Sequence, residues 1–182
     1  RIKEENPTYH DKIKDSLEGK SKPMIIISGK PLLEYMVDNI ENTEVDEIFV
    51  VTNNKYYDQF NIWLTNYDPK TPIKLLNDGT NHNEERLGAI NDLLYVLETE
   101  KIDEDILVIA GDNLFVFDIK EFLDFYEQKK TSCILVYREK EKQKIMRSAC
   151  VEFDVNNKVI GFEEKPQQPK TEWICPSIYI YT

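Results

Sequence analysis

The chain has 182 residues, 41% of them hydrophobic and 31% charged, with a formal net charge of −11 at pH 7. That length and balance suit one globular domain with its own core, and the acidic surplus speaks against nucleic acid as a partner, since such domains carry a basic footprint. No apolar run reaches the length of a bilayer span and no signal-peptide pattern opens the chain, so no membrane partner and a cytoplasmic location are expected. The three cysteines, Cys133, Cys150 and Cys175, sit in apolar segments, which predicts buried, reduced thiols rather than a disulfide framework or a zinc site. His10 and His82 lie in polar segments without neighbouring metal-ligand types.

In chain order, Gly29-Lys30-Pro31 precedes a predicted helix whose apolar face is Leu32, Leu33, Met36, Val37 and Ile40. Ile48 to Val51 reads as a buried strand ending at Thr52-Asn53-Asn54. An amphipathic helix with Tyr57, Phe60, Trp63 or Leu64, and Tyr67 in phase follows, then a short strand at Pro72 to Leu76 and the polar loop Asn77 to Asn83. Leu87, Ile90, Leu94 and Leu97 recur at helical spacing, and Gly88 near the start of that run invites a reason, because glycine inside a helix costs about 1 kcal/mol relative to alanine. Close approach of a ligand and tight backbone packing both stay open for it.

Ile106 to Ala110 is a continuous apolar run that ends in Gly111-Asp112-Asn113. Such a run predicts a strand buried on both faces, and a carboxylate just past it lies at the carboxyl edge where open α/β sheets bind ligands. Gly-Asp-Asn is equally ordinary turn chemistry. Ile119, Phe122, Leu123 and Tyr126 form another helical face, and Cys133 to Tyr137 another apolar strand. Ala149 to Phe153, Asp154-Val155-Asn156-Asn157 and Val159 to Phe162 predict a β-hairpin, with a last strand at 177–182. The order predicts one α/β domain over residues 1–182: a Rossmann-like, mostly parallel sheet flanked by helices, with a β-hairpin appendage.

Three catalytic schemes have no footing. The chain lacks a Gly-x-Ser-x-Gly elbow, a phosphate loop ending Gly-Lys-Ser/Thr and a Gly-x-Gly-x-x-Gly fingerprint. The segments left to explain are Ser21-Lys22-Pro23, Gly29-Lys30-Pro31-Leu32-Leu33-Glu34-Tyr35, Arg86-Leu87-Gly88-Ala89-Ile90, Val108-Ile109-Ala110-Gly111-Asp112-Asn113 and Phe162-Glu163-Glu164-Lys165-Pro166. Each is weak alone. In this order, from Lys22 to the end of the chain, they resemble the sugar-phosphate nucleotidyltransferase superfamily of the glucose-1-phosphate thymidylyl- and uridylyltransferase type.

The resemblance implies an enzyme that joins an NTP to a sugar-1-phosphate or similar phosphorylated alcohol and releases pyrophosphate, with Mg²⁺ as cofactor. It implies that Lys22 contacts phosphate, that Leu87 and Gly88 face the base and that Asp112 binds Mg²⁺. It further implies that Glu164 meets sugar hydroxyls and that Lys165 neutralises the attacking phosphate. Arg1 would correspond to the arginine that ends the family's glycine-rich loop. Arg86 stands in a stretch that departs from the common sugar-nucleotide versions, and it reads either as a solvated arginine at a helix start, the default, or as a phosphate contact. That loop, its strand and a second metal-binding Asp have no counterpart in the 182 residues, so the resemblance implies a domain incomplete at both ends. Ser177 stands where the family has glycine before the last strand, which leaves the acceptor open. The resemblance also leaves room for a homo-oligomer. A non-catalytic nucleotide-sugar-binding regulatory relative is one alternative. A nucleotide-sugar glycosyltransferase is another, although Asp103-Glu104-Asp105 precedes the apolar run rather than following it.

Overall fold

The computed structural model describes residues 19–85, 87–115 and 117–182; Arg1, His10 and Arg86 lie outside the described residues. The chain divides into two compact units, one running to residue 103 and including 114–116, the other comprising 104–113 and 117–182. No described helix is long and apolar enough to cross a membrane.

The first unit opens with a tight hairpin, β1 (Ile26–Ile27) and β2 (Lys30–Pro31), joined through Ser28 and Gly29. Both joining residues have positive φ, 49° and 99°, as a two-residue hairpin turn of this twist demands. Helix α1 (Leu32–Ile40) starts directly after Pro31, whose φ of −58° leads into a helical turn. All five residues of its predicted face are buried, Val37 to 1%. Helix α2 (Tyr57–Asn66) buries Phe60 and Trp63, and Tyr67, just past its end, stacks on Trp63 at 5.1 Å. Polar contacts reach from both aromatic groups to α1: the Trp63 Nε1–H donates to Glu34 (3.3 Å) and the Tyr67 hydroxyl to Asp38 (2.9 Å). Asp38 also takes the ammonium of Lys30.

Strands β3 (Ile48–Thr52) and β4 (Ile73–Asn77) pair in parallel, from Ile48 opposite Ile73 to Thr52 opposite Asn77, with Val50 and Leu76 buried. Helix α3 (Ala89–Glu100) follows and ends on a left-handed Lys101. The apolar face predicted for it is not its covered face. Val96 is the buried residue, whereas Ile90 is 83% and Leu94 47% exposed. Periodicity identifies an apolar stripe, but what the stripe packs against is a tertiary matter.

In the second unit, β11 (Ile178–Tyr181) lies between β5 (Ile106–Ile109) and β6 (Cys133–Ile134) and is antiparallel to both. Among the described pairings only β3 with β4 is parallel, and the architecture is a mixed α/β one. Helix α4 (Ile119–Lys129) is capped by Asp118, whose carboxylate accepts the Lys120 N–H at 2.9 Å, and it buries Ile119, Phe122 and Tyr126. The Tyr126 hydroxyl bonds Asp105, which occupies that carboxylate at the strand's start.

A four-stranded antiparallel sheet has the order β7 (Tyr137–Arg138), β10 (Trp173–Cys175), β8 (Ala149–Phe153) and β9 (Val159–Glu164). The predicted hairpin is β8–β9. Its turn is held by Asp154, which accepts the N–H groups of Lys158 (2.9 Å) and Asn156 (2.8 Å), while Asn157 supplies a φ of +63°. The same two backbone donors hold the Asp154 carboxyl below its usual range. Ala149, Val151 and Cys175 pack with Ile134, Val136, Phe153 and Tyr179, while Cys150 packs with Ile145 and Ile174. A fully buried aliphatic such as Val151 contributes about 1.5–3 kcal/mol relative to exposure. All three cysteines are free; Cys150 and Cys175 are buried and Cys133 is half-buried, and burial pushes the Cys133 and Cys150 thiols up.

Candidate active site

Two parallel strands that end side by side leave their last residues and the following loops at one edge, the position where α/β sheets receive ligands. In the first unit that edge carries a hollow of about 310 Å³, lined by Thr52 at the end of β3 and Asn53 after it, Asp78 after β4, and Gly88, Ala89 and Asp92 at the start of α3.

Its rim is built from side chain to backbone bonds. The Asp78 N–H donates to the Thr52 carbonyl at 2.9 Å, continuing the ladder one step past the strands. Asp78 Oδ1 accepts both the N–H (2.7 Å) and the hydroxyl (2.8 Å) of Thr80, a residue only 8% exposed. Asn54 donates to the carbonyl of Gly79 (2.8 Å) and to the side chain of Asn81 (3.2 Å), and accepts from Asn77 (2.6 Å). Further along, the Glu85 carboxylate accepts the N–H groups of Asn81 and His82, which lowers its pKa. A polar loop of this composition is therefore an ordered wall, because the side chains of Asn54, Asn77 and Asp78 each bond a nearby backbone group.

Two readings, close approach of a ligand and tight backbone packing, were open for Gly88. It precedes α3 as its N-cap rather than lying inside it, so the helix-interior penalty does not apply. Its φ of 81° and ψ of 158° belong to a region that only glycine enters freely. Among the described residues, chain neighbours aside, no atom lies within 4 Å of a Cβ added there, so the bare backbone faces open space on the wall of the hollow. Leu87, beside it, is 37% exposed, and its carbonyl accepts the Asn91 side-chain N–H at 2.7 Å.

Lys22 lies in the same unit, exposed, at the first position of a short 3-10 turn over Lys22–Met24. The approach to it is fixed by Gln59, which accepts the Ser21 N–H (3.2 Å) and donates to the Gly19 carbonyl (2.6 Å). Lys22 does not line the hollow.

Asp112 belongs to the second unit. It occupies the turn that follows β5, exposed, with Ala110 bonded to the Ser177 carbonyl (3.1 Å) and the Asn113 side chain to the Pro176 carbonyl. Among the described residues no three His, Cys, Asp or Glu side chains are grouped as metal ligands. Glu164 ends β9 opposite Ala149, and Lys165 follows at a φ of +48°, uncommon for a residue with a side chain, its N–H bonded to the Ser148 carbonyl at 3.0 Å. The two side chains form an exposed ion pair with each other at 3.2 Å, and the buried Pro166 stops the strand behind them. Ser177, just before β11, has a φ of +58°, a backbone conformation that glycine adopts freely and a serine rarely does.

Thr52, Asn53, Asp78 and Asp92 were not singled out by sequence. The signal that points to them is positional, since three of the four directly end or follow the parallel strands.

The nucleotidyl transferase family model matches residues 18–182, and the chain belongs to that family. It is similar to the bifunctional protein GlmU of Methanocaldococcus jannaschii, 30% identical over 171 residues that cover 93% of this chain and 36% of that protein. It is also similar to glucose-1-phosphate adenylyltransferase 1 of Vibrio parahaemolyticus, 28% identical over 165 residues covering 85% of this chain and 40% of that one. A solved structure from Bacillus anthracis, described as a candidate glucose-1-phosphate thymidylyltransferase in complex with a sucrose, superimposes with a TM-score of 0.76 at 19% identity. It covers 90% of this chain and 63% of its own, a likeness of fold. The chain spans less than half the length of these two curated relatives.

Proposed function

We propose that the chain carries the nucleotide-binding part of an enzyme that joins an NTP to a sugar-1-phosphate or similar phosphorylated alcohol. The observation that carries this reading is the hollow at the carboxyl edge of β3 and β4, walled by the exposed backbone of Gly88. A flat base stacks against a surface without a Cβ more closely than against any other, which gives glycine there a use beyond its dihedral angles. The relatives' own names, an adenylyltransferase and a thymidylyltransferase acting with glucose-1-phosphate, support the substrate class.

In the proposed reaction an oxygen of the acceptor's phosphate attacks the α-phosphorus of the NTP. A new P–O bond forms, the bond from the α-phosphorus to the α,β-bridging oxygen breaks, and pyrophosphate leaves with the electron pair. No covalent help from the protein is required, so positioning and neutralisation of charge are its work. Lys22 serves as a phosphate counter-charge, and Leu87 and Gly88 as the base contact. Glu164 orients acceptor hydroxyls, and Lys165 exchanges its pairing with Glu164 for the acceptor phosphate. Asp112 is the residue suited to hold Mg²⁺, which is commonly bound through one or two carboxylates together with substrate phosphates. When bound, that ion would neutralise the phosphate oxygens.

Steady-state kinetics of Lys165→Ala test the assignment. A charged hydrogen bond is worth about 1.5–3 kcal/mol, so the acceptor KM should rise about tenfold or more while the NTP KM stays within about twofold. Equal rises in both KM values would remove Lys165 from the acceptor site.

A further inference from the structure

The second unit contains a hollow whose residues share nothing with the candidate site. Lys140, Lys142 and Lys170 line it above Ile145 and Pro169, with Thr171 and Glu172 completing the wall, and its volume is about 280 Å³. None of the three lysines takes part in the ion pairs found among the described residues. The carboxylate of the lining is already engaged, since Glu172 accepts from Arg138 Nε at 2.7 Å. The neighbouring acids are engaged as well: Glu139 accepts the N–H groups of Lys140 (2.8 Å) and Glu141 (2.9 Å), and Glu141 pairs with Lys144 at 3.0 Å. Thr171 Oγ1 accepts the Trp173 N–H at 3.1 Å, which leaves its own O–H as a donor.

In a chain with a net charge of −11, three unpaired ammonium groups around one hollow form a local inversion of the field. We propose that this hollow binds a small phosphorylated molecule, with the three lysines as counter-charges and the Thr171 hydroxyl as a directional donor. The buried Ile145, 4% exposed, forms an apolar floor that suits a short carbon stem. The volume falls just below the usual range of small-molecule pockets, about 300–1,000 Å³, and so favours a phosphate with a short stem over a whole nucleotide.

Inorganic phosphate is the probe, titrated into the 182-residue chain against chloride at matched ionic strength while the backbone amide resonances are followed. Saturable shifts at Lys140, Thr171 and Glu172 are expected with phosphate and not with chloride. In Lys140→Ala/Lys142→Ala/Lys170→Ala the phosphate affinity at Thr171 and Glu172 should fall at least about tenfold. The three lysines are exposed, so Tm in chloride should stay within a few degrees. Shifts that follow chloride equally, that saturate unchanged in the triple variant, or that saturate only at Asn53 and Gly88 would overturn the proposal.

Discussion

Gly88→Leu is expected to lose at least about tenfold in NTP affinity, while Gly88→Ala loses less and both variants lose similar thermal stability. The two substitutions share one cost, the strain of a φ of 81° with ψ of 158° on a residue bearing a Cβ, about 1–3 kcal/mol. In a chain of this length that lowers Tm by several degrees. They differ in what they add to the wall. Among the described residues, chain neighbours aside, no atom stands within 4 Å of a Cβ at this position, so the further atoms of leucine are added on the wall of the hollow, where they compete with the ligand. The pair therefore separates backbone strain, visible in Tm, from occlusion, visible in affinity. Equal NTP binding by Gly88→Leu and the unsubstituted chain would remove Gly88 from the base contact.

Asp112→Asn is expected to reduce pyrophosphate release by about a hundredfold or more, since a metal contributes several kcal/mol to charge stabilisation in such a transition state and each 1.36 kcal/mol is a factor of ten. The side chain is exposed in the turn after β5, and asparagine is nearly isosteric with aspartate and equally suited to a turn. Tm should accordingly remain within a few degrees. Asparagine keeps the shape and one acceptor oxygen but loses the charge, so a full loss of turnover with an intact fold assigns the role to charge. Unchanged turnover would place the metal, or its absence, elsewhere.

The elements were legible in the sequence where local pattern and tertiary outcome agree. The face Leu32, Leu33, Met36, Val37 and Ile40 is buried as its spacing predicts, and Asp154 with Asn157 makes the turn its chemistry predicts. The pattern for α3 selected an apolar stripe, Ile90 and Leu94, that the described residues do not cover, because a helical period carries no information about which neighbour arrives. The antiparallel entry of β11 between β5 and β6 was likewise hidden, since a continuous apolar strand reads the same in either direction. For the site, Gly88 was conspicuous as a glycine and Asp112 as a carboxylate ending an apolar run. Asn53 and Asp78 were inconspicuous, because polar residues in a loop are ordinary until the parallel pairing of β3 and β4 brings their ends together, and Asp92 reads as one more polar residue in the first turn of a helix.

The central claim, nucleotidyl transfer from an NTP to a phosphorylated acceptor, is tested most directly by pyrophosphate release. The protein would be presented with each of the common NTPs in combination with a panel of sugar-1-phosphates and phosphorylated alcohols, with and without Mg²⁺. The predicted result is release that requires both one NTP and one acceptor, depends on Mg²⁺ and is lost in Asp112→Asn. Saturable NTP binding without pyrophosphate release from any pair would contradict the claim and identify the chain as a nucleotide-binding relative that does not catalyse transfer.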